Sequence, residues 1–83
     1  MKIEWQDLIK ICEQAEWHLA SATDAIEARH RIGRDAAASL AHAVFAGEAG
    51  DDDEKAEYWE DAVRMLKPDG WKETKTGLER SEQ

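Results

Sequence analysis

Residues 3–46 read IEWQDLIKICEQAEWHLASATDAIEARHRIGRDAAASLAHAVFA, and this stretch decides the fold. Its apolar side chains recur at steps of three and four residues, which places them on one face of a helix. No run of four or more residues in the chain alternates as a half-buried strand would, so we predict an all-α fold. The members of this main stripe are Trp5, Leu8, Cys12, Ala15, Leu19, Ala22, Ile26, Gly33, Ala37, Leu40 and Val44.

The main stripe fits either one helix over residues 3–46, about 65 Å long, or two helices separated by a break. Ser21 and Asp24 resemble a helix-start pair, and Asp35 is placed to cap a helix that runs from Ala36 onward. A compact fold favours a break, because a long isolated helix cannot bury its apolar face. We predict a small two- or three-helix bundle whose break lies at one of these two places.

A further helix is predicted after the acidic residues 51–54, because acids stabilise the start of a helix. Its apolar stripe consists of Ala56, Trp59, Val63 and Leu66, and Pro68–Gly70 ends it. Residues 1–71 are therefore expected to form a single helical domain. Residues 72–83 have no periodic apolar face and are expected to be a frayed polar tail.

A chain of 83 residues has a small core, and domains of this size often gain stability by self-association. Trp17 projects away from the main stripe, among small residues that permit close helix approach. We expect a homodimer, although Trp17 would equally serve to cover a helix of its own chain. The candidate interface residues are Trp17, Ile32, Phe45 and Trp71.

Charge is distributed unevenly along the chain, whose net charge is −8. The stretch from Glu48 to Asp61, here called the acidic segment, has eight acids and one base and so carries −7. Three interpretations are a solvated helix start, a docking surface for a basic partner, and a divalent-metal site. Because the chain is acidic, we expect no direct nucleic-acid binding and no membrane binding. The acids are Glu48, Asp51, Asp52, Asp53, Glu54, Glu57, Glu60 and Asp61.

One dense cationic cluster is present, formed by Arg29, Arg31 and Arg34. Arginine matches phosphate groups bidentately, so these residues are a candidate anion- or nucleotide-binding site. The alternative is structural pairing with acids of the same fold or across a dimer. The acidic segment is then the expected counterpart.

Two acidic pairs, Glu13-x-x-Glu16 and Glu57-x-x-Glu60 followed by Asp61, place carboxylates on single helix faces. In outline this resembles the MazG-type all-α nucleotide pyrophosphohydrolases, which carry Glu-x-x-Glu on one helix and a second acidic pair on another. The resemblance implies a metal-dependent enzyme that acts on nucleotides. The second pair is not the expected Glu-x-x-Asp, and the resemblance covers only these pairs.

Nothing else in the sequence points to catalysis. Cys12 lies on the main stripe beside Leu8 and is expected to be a buried structural thiol. No set of Cys and His has zinc spacing, so we expect no catalytic residue, no metal and no cofactor. Glu4 and Asp7 stand where a signal peptide needs an apolar core, so we expect a cytoplasmic protein.

These observations favour a non-catalytic, acidic helical interaction protein that docks on a larger protein with a basic surface and inhibits or regulates it. That partner would itself bind nucleic acid if the acidic segment is a DNA mimic. Small anti-defence proteins of phages and mobile elements are similar in size and charge. The alternatives are the MazG-like enzyme and a helical module that binds an anion through the arginine cluster.

Overall fold

A computed structural model describes residues 1–81 as four helices and a small three-stranded sheet. The mostly helical architecture agrees broadly with the predicted all-α fold, and the sheet is an addition to it. In chain order the elements are β1 (Lys2–Glu4), α1 (Trp5–Gln14), α2 (Leu19–His30), α3 (Arg34–Glu48), α4 (Asp52–Leu66), a 3₁₀ turn (Lys67–Asp69), β2 (Trp71–Glu73) and β3 (Gly77–Arg80).

The sheet joins the two ends of the chain. β3 lies in the middle and pairs antiparallel with β1 on one side and with β2 on the other. Ile3 is opposite Leu78 in the register, and both side chains are buried. The expectation that residues 72–83 form a frayed tail is therefore wrong for the two strands, and residues 82–83 lie outside the described part of the chain. Strands of three or four residues are too short to show a periodic pattern.

The first 48 residues form three helices, because the chain breaks twice. The first break covers residues 15–18, where Glu16 and Trp17 have left-handed backbone conformations with φ of 54° and 58°. Ser21–Asp24, one of the two alternative places predicted for a break, lies inside α2. The second break falls at the other predicted place, near Gly33. Arg31 there is left-handed, and Gly33 precedes the first residue of α3.

The core lies mainly between the helices and against one face of the sheet. Most of the main stripe is buried, while Trp5, Ala15 and Leu19 are half-buried and Gly33 is exposed in a turn. α3 is the most deeply packed helix, because its alanines allow α2 and α4 to approach closely. The buried residues of α3 are Ala36, Ala37, Leu40, Ala41, Ala43, Val44 and Ala46.

α4 begins and ends close to its predicted bounds. The Asp51 carboxylate caps it by accepting a hydrogen bond of 3.0 Å from the backbone N–H of Glu54. Gly70, at φ 93°, closes the 3₁₀ turn that follows Leu66. Ala56, which we placed on the buried stripe of this helix, is exposed instead.

Two of the four candidate interface residues belong to the core of the single chain. Ile32 is 8% exposed and Trp71 is 2% exposed, so neither side chain is available to a second subunit. Ala43, a small residue of α3, is also fully buried within the chain. The two helix breaks are part of the reason, because they place Trp17, Ile32 and Phe45 in separate parts of the fold instead of on one helix face.

Within residues 1–81, no helix combines the length and the apolar character that crossing a membrane requires.

The sheet depends on the absence of a side chain at Gly77. A Cβ atom at this position would lie 1.9 Å from the carbonyl oxygen of Ile3, on the backbone of the neighbouring strand. We expect Gly77→Ala to separate β1 from β3 and to lower the free energy of unfolding by about 2 kcal/mol, measured by urea denaturation.

Gly33→Ala is the matched control, because nothing lies within 4 Å of the added Cβ and its φ is −65°. This control should change stability by less than about 0.5 kcal/mol. An equal decrease in the free energy of unfolding of the two variants would show that the close approach of β1 and β3 at Gly77 does not contribute to stability.

A second prediction concerns the buried His30. Its Nε2 atom has no hydrogen-bond partner among the described residues. Burial and the charge of Arg29 lower the pKa of the imidazole, and the charge of Asp7 opposes this shift. The unfolded chain therefore takes up a proton near pH 6.5 that the folded chain resists, and stability falls as pH drops below that value. As pH falls from 7 to 5, the free energy of unfolding of the wild type should decrease, relative to that of His30→Gln, by up to about 1.4 kcal/mol per pH unit.

Parallel urea denaturation curves of the two proteins across this pH range measure the difference. Identical slopes would mean that His30 titrates alike in the folded and unfolded chain.

Candidate functional site

The acidic segment lies at the end of the molecule where α3 turns into α4. α3 ends at Glu48, and Gly50, at φ 81°, lets the chain reverse before Asp51 caps α4. The turn and the first turn of α4 leave Asp51, Asp52, Asp53 and Glu54 exposed. Because the N-terminus of a helix carries a partial positive charge, these carboxylates are stabilised where they stand.

Three members of the acidic segment form a ridge along the exposed face of α4. Asp53, Glu57 and Glu60 follow one another at steps of four and three residues, so they lie on one side of the helix over about 10 Å. All three are exposed, and Ala56 lies beside them without covering them. This acidic ridge, Asp53–Glu57–Glu60, presents three carboxylates in a row to any approaching surface.

Ion pairs among residues 1–81 leave most of the charge of the acidic segment unbalanced. Of its eight acids, Asp61 is the one that forms an ion pair among residues 1–81, at 3.0 Å from Arg64. The single base in the segment, Lys55, points its ammonium at the ring of Trp5 instead. A hydrogen bond with Asp51 and repulsion from it raise the pKa of Glu54, as expected where carboxylates crowd together.

The two acidic pairs behind the enzyme hypothesis do not form a metal site here. Glu13 lies in the last turn of α1, whereas Glu16 lies in the left-handed turn after it, so the two do not share a helix face. Among the described residues, no three Asp, Glu, His or Cys side chains come together in a way that would hold a metal ion.

The arginine cluster separates at the second helix break. Arg34 forms ion pairs with Asp24, at 2.5 Å, and with Glu27, at 3.3 Å, and these contacts raise its pKa. Its partners therefore lie on α2, and the expectation that the acidic segment supplies them is wrong. Arg29 and Arg31 are exposed and have no ion pair within residues 1–81.

The remaining candidate interface residues contact each other. The rings of Trp17 and Phe45 meet edge to face, with their centroids 5.4 Å apart. Trp17 is 37% exposed and stands in the strained turn before α2, while Phe45 is half-buried on α3. Trp17 therefore covers α3 of its own chain, as the alternative interpretation held, and still exposes part of its ring.

A second feature, which the sequence did not indicate as a site, is a groove of about 700 Å³ between the start of α1, α4 and the turn joining β2 to β3. Trp5 and Trp59 form its apolar wall, with ring centroids 5.7 Å apart and planes 77° apart. The ammonium of Lys55 lies 4.6 Å from the centroid of the Trp5 ring, a cation–π contact. We call this the tryptophan groove.

Acidic side chains from three elements surround the tryptophan groove. The Glu73 carboxylate accepts a hydrogen bond of 2.9 Å from the indole N–H of Trp59. The hydroxyl of Thr76 donates to the Glu4 carboxylate. Asp52, from the acidic segment, also lines the groove. The groove therefore combines aromatic surface with carboxylates held in place by neutral donors.

Sequence reasoning missed this groove because its walls come from distant parts of the chain. Trp5 and Trp59 were both assigned to the core, since each lies on an apolar stripe, and both are only half-buried. The available signal was the surplus of tryptophan, four residues in 83. No local pattern relates Glu4 to residues 73–76, because the sheet brings them together.

Comparisons with protein-family models, with curated proteins and with solved structures find no match to this chain.

The cysteine provides a test of the structural role assigned to it. Cys12 is fully buried, and burial, with a smaller contribution from the charge of Glu48, raises the pKa of its thiol to about 11. We therefore expect the native protein to resist a thiol reagent such as Ellman's reagent at pH 8, and the urea-unfolded protein to react at once. Rapid labelling of the native protein would contradict the buried, structural role.

Proposed function

We propose that this chain is a non-catalytic binding protein whose acidic ridge docks on the basic surface of a larger protein and so inhibits or regulates it. The observation that carries the proposal is the exposure of Asp53, Glu57 and Glu60 in one row without a cationic partner among residues 1–81. Charged groups that a fold does not use for its own pairing are available to a partner.

The arrangement of the carboxylates favours a partner that binds nucleic acid. Consecutive members of the ridge are separated by about 6 Å and about 4.5 Å along the helix axis. A cationic groove that accepts the phosphates of a nucleic-acid strand binds a row of anions, and the ridge presents such a row. Such a groove would attract the ridge over a distance and lose the attraction as salt increases.

The proposal requires only one copy of the chain. Ile32 and Trp71 are buried, so they do not contribute to the interface of the homodimer expected from the sequence. The candidate interface is then limited to the smaller patch of Trp17 and Phe45. As an inhibitor of this kind the protein would act in the cytoplasm, where its partner meets nucleic acid.

A charge-matched pull-down tests the proposal. The ridge variant is Asp53→Asn, Glu57→Gln and Glu60→Gln, which leaves the Asp51 cap and the Asp61–Arg64 pair intact. The tagged chain should capture a basic, nucleic-acid-binding protein from a host lysate at about 50 mM salt, and capture should fall sharply at about 300 mM. The ridge variant should lose most of the capture at the lower salt.

The matched control removes three acids outside the acidic segment, through Glu13→Gln, Glu16→Gln and Asp69→Asn, and therefore has the same net charge as the ridge variant. Because these side chains are exposed and distant in sequence from the ridge, the control should capture the partner as the wild type does. An equal loss of partner capture by both variants would show that capture depends on net charge and not on the ridge. Unchanged capture by the ridge variant would refute docking through the ridge.

A further inference from the structure

We propose that the tryptophan groove receives an arginine side chain of the protein partner, which anchors the partner beside the acidic ridge. This inference rests on the proposed function and adds to it the chemistry of one specific contact. Four observations support it: the position of the groove, its aromatic wall, its carboxylates and the internal cation that it already holds.

The groove and the ridge form one continuous surface on α4. Asp52 and Ala56 line the groove, and Ala56 also stands next to the ridge residues Asp53 and Glu60 on the exposed side of the helix. A partner seated on the ridge therefore reaches the mouth of the groove without crossing any other element. The groove is large enough to enclose a long side chain.

The aromatic wall is already used to bind a cation. Lys55 belongs to α4 and turns its ammonium over the Trp5 ring rather than towards the carboxylates of the acidic segment. A Cβ atom at Gly47 would lie 3.2 Å from Cδ of Lys55, so the absence of a side chain at Gly47 leaves room for the Lys55 stem. This internal contact shows that the Trp5 face is open to a positively charged group, and it identifies the group that a partner's cation would displace.

The surrounding carboxylates favour arginine over other cations. Glu4, Asp52 and Glu73 approach the groove from three different elements, against the two ammonium groups of Lys55 and Lys75. A guanidinium is planar, so it can stack on an indole while its N–H groups donate to a carboxylate at its edge. A lysine ammonium is a compact, strongly hydrated point charge without a flat face, so it covers less of the ring and has more hydration to lose.

The experiment follows the four indole N–H signals of the full chain by NMR during titration with short peptides. The probe is the peptide Gly-Lys-Gly-Arg-Gly-Lys-Gly. In two matched peptides the arginine is replaced by citrulline, which has the same shape without the charge, or by lysine. The arginine peptide should shift the signals of Trp5 and Trp59 and leave those of Trp17 and Trp71 in place. The citrulline peptide should bind about tenfold more weakly, and the lysine peptide several-fold more weakly.

Two pairs of variants test the residues. Glu4→Gln with Glu73→Gln keeps hydrogen-bond acceptors for Thr76 and Trp59 but removes two charges, so it should weaken binding of the arginine peptide several-fold without lowering the melting temperature. Glu13→Gln with Asp69→Asn is its charge-matched control. Lys55→Met removes the competing ammonium from the Trp5 ring and should strengthen binding more than Lys67→Met, which changes the net charge equally in the 3₁₀ turn after α4.

The outcomes separate this inference from the proposed function. If the arginine and citrulline peptides bind alike, or if Trp5 and Trp59 do not shift, the arginine site is refuted, whether or not the ridge variant loses its partner. If the arginine peptide binds in the groove as expected but the ridge variant captures the partner normally, the docking ridge is refuted and the groove stands. Equal effects of Lys55→Met and Lys67→Met would refute competition at the Trp5 ring.

Discussion

The antiparallel pairing of β1 with β3 is the contact on which the rest of this structure depends. It ties the first residues of the chain to its last described ones, with Ile3 opposite Leu78 on the buried face. Trp71, on the other side of β3, is thereby held against the helices, with the Arg80 guanidinium 5.3 Å from its ring centroid. The sheet thus extends the core of a chain whose helices alone would leave one end uncovered.

The same pairing creates the tryptophan groove. β1 continues directly into α1, and the backbone N–H of Trp5 donates to the carbonyl oxygen of Thr76 in the turn between β2 and β3. Trp5 is thereby placed against Trp59, while the turn brings Glu73 within hydrogen-bonding distance of the Trp59 indole. One side of α4 packs on this arrangement and the adjacent exposed side carries the acidic ridge, so a single helix contributes to both halves of the proposed binding surface.

Much of the helical fold was predictable because helices are local. The spacing of Leu8, Cys12, Ile26 and Leu40 on one stripe identified core residues correctly, and acids followed by Pro68–Gly70 bounded α4 closely. The first break was not predicted, because Glu16 and Trp17 adopt left-handed backbone conformations that these residue types rarely adopt. The ion pairs of Arg34 with α2 escaped it because they depend on how two helices cross.

By itself the sequence determined that the chain is mostly helical, that Cys12 is buried, and that nearly all the net charge lies between Glu48 and Asp61. These properties depend on periodicity and composition, which are readable within one or two helical turns. Only the tertiary structure decided that residues 71–73 and 77–80 are strands, that Ile32 and Trp71 are core rather than interface, and that Trp5, Trp59 and Glu73 share a groove. Each of these depends on contacts between residues far apart in the chain, and local spacing carries no information about such contacts.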